Sequence, residues 1–115
     1  MGFRILVIED SPVIRHLIEI CLRAEDVDLI TRDDGLRGLE AVTTESPDLV
    51  ILDIGLPGMN GWQVLEAIRS GTARHVPVVV LTAHGGEDCR EQADQAGADA
   101  LVTKPFDIKS SGRRC

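Results

Sequence analysis

Several short apolar runs in this chain end in residues able to do polar chemistry. Phe3 to Ile8, interrupted only by Arg4, ends in Glu9-Asp10; Leu49-Val50-Ile51-Leu52 ends in Asp53; Val76 to Leu81 ends in Thr82; Ala100 to Thr103 delivers Lys104. Apolar runs of this length bounded by turn signals read as strands buried on both faces, as a parallel sheet under helices requires. In open α/β sheets ligands bind beyond the carboxyl ends of the strands, so an acid that ends such a strand is a functional candidate. Asp53 could instead cap the next helix. Gly55 to Gly61 is loop chemistry, however, and separates Asp53 from the helical pattern that begins near Trp62, for which Asn60 is the better cap.

Glu9, Asp10 and Asp53 in one crevice would repel each other, by about 4 kcal/mol for a pair 4 Å apart at an effective dielectric near 20. Something cationic must sit among them. Lys104 is the one cation that the strand ends supply, so a hard divalent ion with oxygen ligands, Mg²⁺ for preference, is the expected partner. A central carboxylate with a metal on one side, a lysine on the other and the Thr82 hydroxyl nearby suits attack on a phosphoryl group, whose oxygens those groups could share. Read without chemistry, Glu9 or Asp10 would cap the first helix, a role that Ser11 fits better. Thr82 would be a strand residue with a satisfied hydroxyl, and Lys104 a solvated lysine.

The elements between these strand ends are legible in outline. Ser11-Pro12 is a helix start, followed by Val13, Ile14, Leu17, Ile18 and Cys21 at helical spacing. Val27 to Thr31 reads as a short second strand without a polar site residue. Asp33-Asp34-Gly35 turns into a second helix with Leu36, Leu39 and Val42 on one face. Trp62, Val64, Leu65 and Ile68 mark a third helix that Ser70-Gly71 ends. The run from Val76 reads as a central strand. Glu87 to Ala96 is a polar helix in which Cys89, Ala93 and Ala96 could face the sheet, stopped by Gly97. Alternating strands and helices with short connections imply a doubly wound α/β fold, a five-stranded parallel sheet with right-handed crossovers.

At 115 residues the chain suits a single domain, and a hydrophobic fraction of 43% with 27% charged residues is that of an ordinary folded protein. A formal net charge of −7 argues against direct nucleic-acid binding, which needs a basic stripe. No apolar run approaches the roughly 18 residues needed to span a bilayer, and Met1-Gly2-Phe3-Arg4 does not open a signal peptide; a cytoplasmic location is expected. Cys21, Cys89 and Cys115 are odd in number and widely spaced, which indicates reduced thiols rather than a disulfide framework or a zinc site.

Glu9-Asp10-Ser11, Leu52-Asp53 followed by Leu56-Pro57-Gly58-Met59-Asn60-Gly61, Leu81-Thr82-Ala83, and Thr103-Lys104-Pro105-Phe106 closely resemble the receiver domain of two-component response regulators. The resemblance covers nearly the whole chain, with the motifs in the right order on the right elements. It implies a flavodoxin-like strand order of 2-1-3-4-5. It implies that Asp53 accepts a phosphoryl group from a sensor histidine kinase or a phosphotransfer protein. Glu9, Asp10, Asp53 and the Gly55 backbone carbonyl would hold Mg²⁺, Thr82 would bond the acyl phosphate, and Lys104 would pair with it, aimed by a cis bond to Pro105. No organic cofactor is implied. His84, two residues after Thr82, stands where the family varies and would tune the phosphoryl lifetime; His16 and His75 read as incidental.

The chain departs from the family pattern in two places. Leu101 replaces the aromatic that receivers commonly carry three residues before the lysine, so the signal must pass through backbone shifts or repacking of the fourth helix and fifth strand. Residues 107–115 lack the pattern of a full fifth helix, so a receiver domain over 1–106 with a short or truncated tail over 107–115 is expected. The apolar surface left beside the first helix would then be covered by self-association or belong to a longer protein. Among other functions, a phosphatase of the haloacid-dehalogenase type would need an Asp where Gly55 stands. Nucleotide binding lacks both GxGxxG and GxxxxGK[ST]. A receiver fold that serves as a phosphorylation-independent binding scaffold is the alternative carried forward.

Overall fold

The computed structural model describes residues 3–23, 25–56, 60–71, 75–82 and 87–103. Five strands alternate with four helices among these residues: β1 (Phe3–Ile8), α1 (Pro12–Leu22), β2 (Val27–Arg32), α2 (Gly35–Glu45), β3 (Leu49–Asp53), α3 (Gly61–Ser70), β4 (Val78–Thr82), α4 (Glu87–Ala96) and β5 (Ala100–Thr103). All strand pairs are parallel, in the order β2-β1-β3-β4-β5. The fold is thus the doubly wound sheet that the alternation of elements predicts.

Period-two alternation along the central strands feeds two cores. Leu6 and Ile8 of β1, Val50 and Leu52 of β3, and Val78 and Val80 of β4 join Ala41 and Val42 of α2 and Val64, Leu65 and Ile68 of α3. Ile5 and Val7 point the other way and pack with Ile14 and Ile18 of α1 and with Leu81. Each such aliphatic side chain contributes about 1.5–3 kcal/mol when fully buried. The half-buried Trp62 packs against the first core, as expected of its place at the start of α3.

The helix starts follow their local signals. Ser11 accepts from Ile14 N at 3.3 Å with Pro12 at the first helical position, and Asp34 accepts from Arg37 N at 2.7 Å. Asn60 and Gln63 form a reciprocal capping box at the start of α3, each side chain accepting from the other's backbone N–H at 3.0 Å. Gly97, at φ +92°, stops α4 in a left-handed conformation that glycine adopts without strain.

Three expectations need correction. Leu36 does not join the buried face of α2: it is 65% exposed, and Gly35, Gly38, Ala41 and Val42 are buried instead. The reason is the close seating of α2, since a Cβ on Gly38 would lie 2.6 Å from Ile8 Cδ1. β4 starts at Val78 rather than Val76, because Pro77 has no N–H for the ladder; its carbonyl accepts from Val50 N at 2.9 Å, and Val76 is buried outside the strand. β2 runs on to Arg32, so the second strand also ends in a charged residue. In α4, Ala93 is buried and Ala96 packs on the first core; the Cys89 side chain lies outside the described residues, as do Cys115 and the tail at 107–115.

Candidate functional site

The site is built from the strand ends. Past β1 the ladder continues for one residue, with Glu9 N donating to Arg32 O at 3.0 Å, which fixes where the first acid leaves the sheet. Glu9 is fully buried, and its carboxylate accepts from Ser11 N at 3.0 Å through Oε2. The N-cap of α1 therefore also positions the acid. Asp10, the next residue, is exposed. On the neighbouring strand Asp53 is 1% exposed. The next peptide is held to the sheet by Ile54 N donating to Leu81 O at 3.1 Å.

Glu9, Asp10 and Asp53 meet: each offers a carboxylate oxygen, and these oxygens all lie within 4.8 Å of one another. Two of the three acids are buried, where like charges are screened least. An all-oxygen donor set of this density suits a hard divalent cation such as Mg²⁺ better than a softer metal, which would select nitrogen or sulfur. Thr82, 4% exposed, follows Leu81, the register partner of Asp53, and so lies one residue past it at the same sheet end. Its own partner in the ladder is Thr103, the last residue of β5. Lys104 and its bond to Pro105 lie outside the described residues, as does His84.

Gly55 stands beside the cluster, with its N–H donating to Asp53 Oδ1 at 3.0 Å. A Cβ there would approach Asp53 Oδ1 at 3.6 Å, an ordinary contact, so this position does not require glycine. Gly61 does. A Cβ on Gly61 would lie 2.2 Å from Ile54 Cα and 2.6 Å from Asp53 O, so the start of α3 sits directly on the backbone that carries Asp53.

Arg15 was not legible as a site residue. Its Nη1 donates to the Glu9 carbonyl at 2.8 Å and braces the acidic turn. A guanidinium thus stands at this end of the sheet, beside the acids. The available signal was its place one turn after the Ser11 cap, because long helical side chains lean toward the helix N-terminus.

Comparison with known proteins agrees with this geometry. The family described as response regulator receiver domain matches residues 5–111. The response regulator PleD of Caulobacter vibrioides is 38% identical over 108 residues, 93% of this chain and 24% of that protein. The DNA-binding response regulator MtrA of Mycolicibacterium smegmatis is 42% identical over 109 residues, 95% of this chain and 47% of that protein. The chain thus spans 24% and 47% of the length of these two relatives. Among solved structures, the receiver domain of the sensor histidine kinase PA1611 from Pseudomonas aeruginosa, with a magnesium ion coordinated in its active-site cleft, superposes with a TM-score of 0.84 at 30% identity, covering 99% of this chain and 94% of that one. The Mn²⁺-bound response regulator Rcp1 gives 0.86 at 28% identity, covering 98% and 88%. A sheet of this order, ending in these acids and matched along almost its whole length, makes the chain a member of the response regulator receiver domain family.

Proposed function

We propose that this chain is a phosphorylation-controlled switch in which Asp53 accepts a phosphoryl group from a phosphohistidine on a sensor histidine kinase or phosphotransfer protein. The observation that carries this reading is the convergence of the Glu9, Asp10 and Asp53 carboxylates within 4.8 Å at the carboxyl end of the sheet. Glu9, Asp10 and Asp53, with the Gly55 carbonyl, would hold Mg²⁺, which when bound neutralises charge on the phosphoryl oxygens. A carboxylate oxygen of Asp53 forms the new bond to phosphorus as the bond from phosphorus to the imidazole nitrogen breaks; the pair of electrons of that bond stays on the ring, whose other nitrogen already carries a proton in the phosphohistidine, so the imidazole leaves neutral. Thr82 donates its hydroxyl to a phosphoryl oxygen, and Lys104 pairs with the product. Burial of Asp53 and Glu9 limits the access of water to the acyl phosphate.

Phosphorylation adds roughly −1.5 to −2 of charge and biases the arrangement of α4 and β5, which carries the signal. Output then belongs to partners or to further domains, as the greater length of the relatives suggests. A cytoplasmic setting fits a kinase partner, and no helix among the described residues is long and apolar enough to cross a membrane.

Intact mass after incubation with acetyl phosphate and Mg²⁺ tests the reading. The expected result is a gain of one phosphoryl group that disappears in Asp53→Asn and with a chelator. No gain in the folded parent would overturn it and favour the phosphorylation-independent scaffold.

A further inference from the structure

We propose that the cleft between α1, the end of β2 and the start of α2 is a second anion site, which binds a phosphate-bearing small molecule through Arg15, Arg32 and Arg37. The cleft has a volume of about 400 Å³ and is lined by these three arginines with Thr31 and Asp33. It contains none of the acids of the phosphoacceptor cluster, and the inference does not rest on the switch reading.

Charge makes the first part of the case. The lining holds three guanidiniums and one carboxylate, that of Asp33, in a chain whose formal net charge is −7; the Asp34 and Glu45 carboxylates lie outside the lining, 3.5 Å from Arg37 and 4.0 Å from Arg32. A phosphomonoester carries roughly −1.5 to −2 at neutral pH, so it would draw Arg37 and Arg32 from these long, solvent-exposed contacts. The planar fork of each guanidinium fits a tetrahedral oxyanion two N–H groups at a time. The first turn of α2, which supplies Arg37, adds the positive end of its dipole.

Donor supply makes the second part. Arg15 uses Nη1 on the Glu9 carbonyl at 2.8 Å and makes no ion pair among the described residues. Arg32 uses Nη1 on the Thr31 carbonyl at 2.8 Å, and its nearest ion-pair carboxylate, Glu45, is at 4.0 Å. Among the described residues Arg37 pairs only with Asp34, three residues earlier, at 3.5 Å, from a side chain that is 73% exposed. A guanidinium has five N–H donors, so each of the three has several left to offer. Arg4 and Arg69 differ, tied to carboxylates at 3.1 and 3.0 Å.

The test follows ¹⁵N–¹H shifts of the whole chain on titration with inorganic phosphate, in buffer stripped of divalent ions by a chelating resin, against chloride at matched ionic strength. Saturable shifts centred on residues 31–37 are expected, unchanged in affinity in Asp53→Asn and at least tenfold weaker in Arg32→Gln/Arg37→Gln. Arg37→Gln alone, at an exposed side chain, supplies the comparison if the double variant fails to fold. Shifts that merely follow ionic strength, that centre on residues 53–55 and 82, or that persist at full affinity in the arginine variants would each overturn the proposal. Malonate binding as tightly as phosphate would overturn the phosphate assignment.

Discussion

Arg69, in the last turn of α3, donates through Nη2 to Asp99 Oδ2 at 3.0 Å, across 30 residues of sequence. The same guanidinium reaches Gly97 O from Nε at 2.9 Å and Val76 O from Nη1 at 2.6 Å. The Asp99 carboxylate in turn accepts from Val78 N at 2.8 Å. One side chain therefore ties α3 to the start of β4 and to the turn between α4 and β5. Asp99 is 57% exposed, so the ion pair itself is worth less than about 1 kcal/mol. The carbonyls it serves are the larger matter: Val76 is buried and Gly97 partly so, and a buried acceptor left unsatisfied costs about 1–3 kcal/mol. Arg69→Ala is expected to destabilise by about 2–3 kcal/mol in urea titrations, and Asp99→Asn, which keeps an acceptor oxygen, by about 1 kcal/mol or less.

Gly61 and Gly38 are both sites of close approach, with different neighbours. A Cβ on Gly61 meets backbone, Ile54 Cα and Asp53 O, whereas the three nearest neighbours of one on Gly38 all belong to the Ile8 side chain. Gly61→Ala should therefore cost more than about 3 kcal/mol with no side-chain substitution able to relieve it. Gly38→Ala should be partly rescued by Ile8→Ala, so that the double variant is at least 1 kcal/mol or so more stable than the sum of the singles predicts. A double-mutant cycle by denaturation measures both.

The acid cluster predicts opposite effects of charge removal with and without metal. Asp10 is the exposed member, so replacing it disturbs packing least. Asp10→Asn should raise the stability of the metal-free protein by up to about 1 kcal/mol, by relieving repulsion. The parent should gain about 2.7 kcal/mol from Mg²⁺ at a hundred times its dissociation constant, and Asp10→Asn much less at the same concentration. Thermal unfolding with and without Mg²⁺ reads both effects; equal Mg²⁺ gains in the two proteins would remove Asp10 from the ligand set.

The capping box at Asn60 opens the helix whose first residue rests on the Asp53 backbone. Asn60→Ala should cost about 1 kcal/mol, and Asn60→Asp only a few tenths. If Asn60→Ala were neutral in urea titrations, α3 would be held by packing alone.

The sheet and the placement of its acids were legible because a strand buried on both faces reads as an unbroken apolar run, and because caps such as Ser11 and Asn60 act within one turn. The fit of α2 was not. Leu36 has the right spacing for a buried face, but the helix is seated by what its glycines lack, and a missing side chain leaves no mark in a hydrophobic pattern. Val76 read as strand because β-branched composition outweighed the missing N–H of Pro77. Arg69 and Arg15 escaped because both serve backbone carbonyls, and carbonyls belong to no residue type. Lys104, predicted from the end of β5, lies outside the described residues.

The order β2-β1-β3 has a kinetic consequence. β1 lies between β2 and β3, and pairs with β2 across 24 residues (Phe3 with Val27, 27 − 3) but with β3 across 44 (Ile5 with Leu49, 49 − 5). Glu9 and Asp10 can then meet Asp53 only after this long closure, while β1 and β2 can pair earlier across a shorter one. The ability to capture a divalent ion should thus appear late on the folding path, and ion uptake in a stopped-flow experiment would report completion of the central sheet rather than its nucleation.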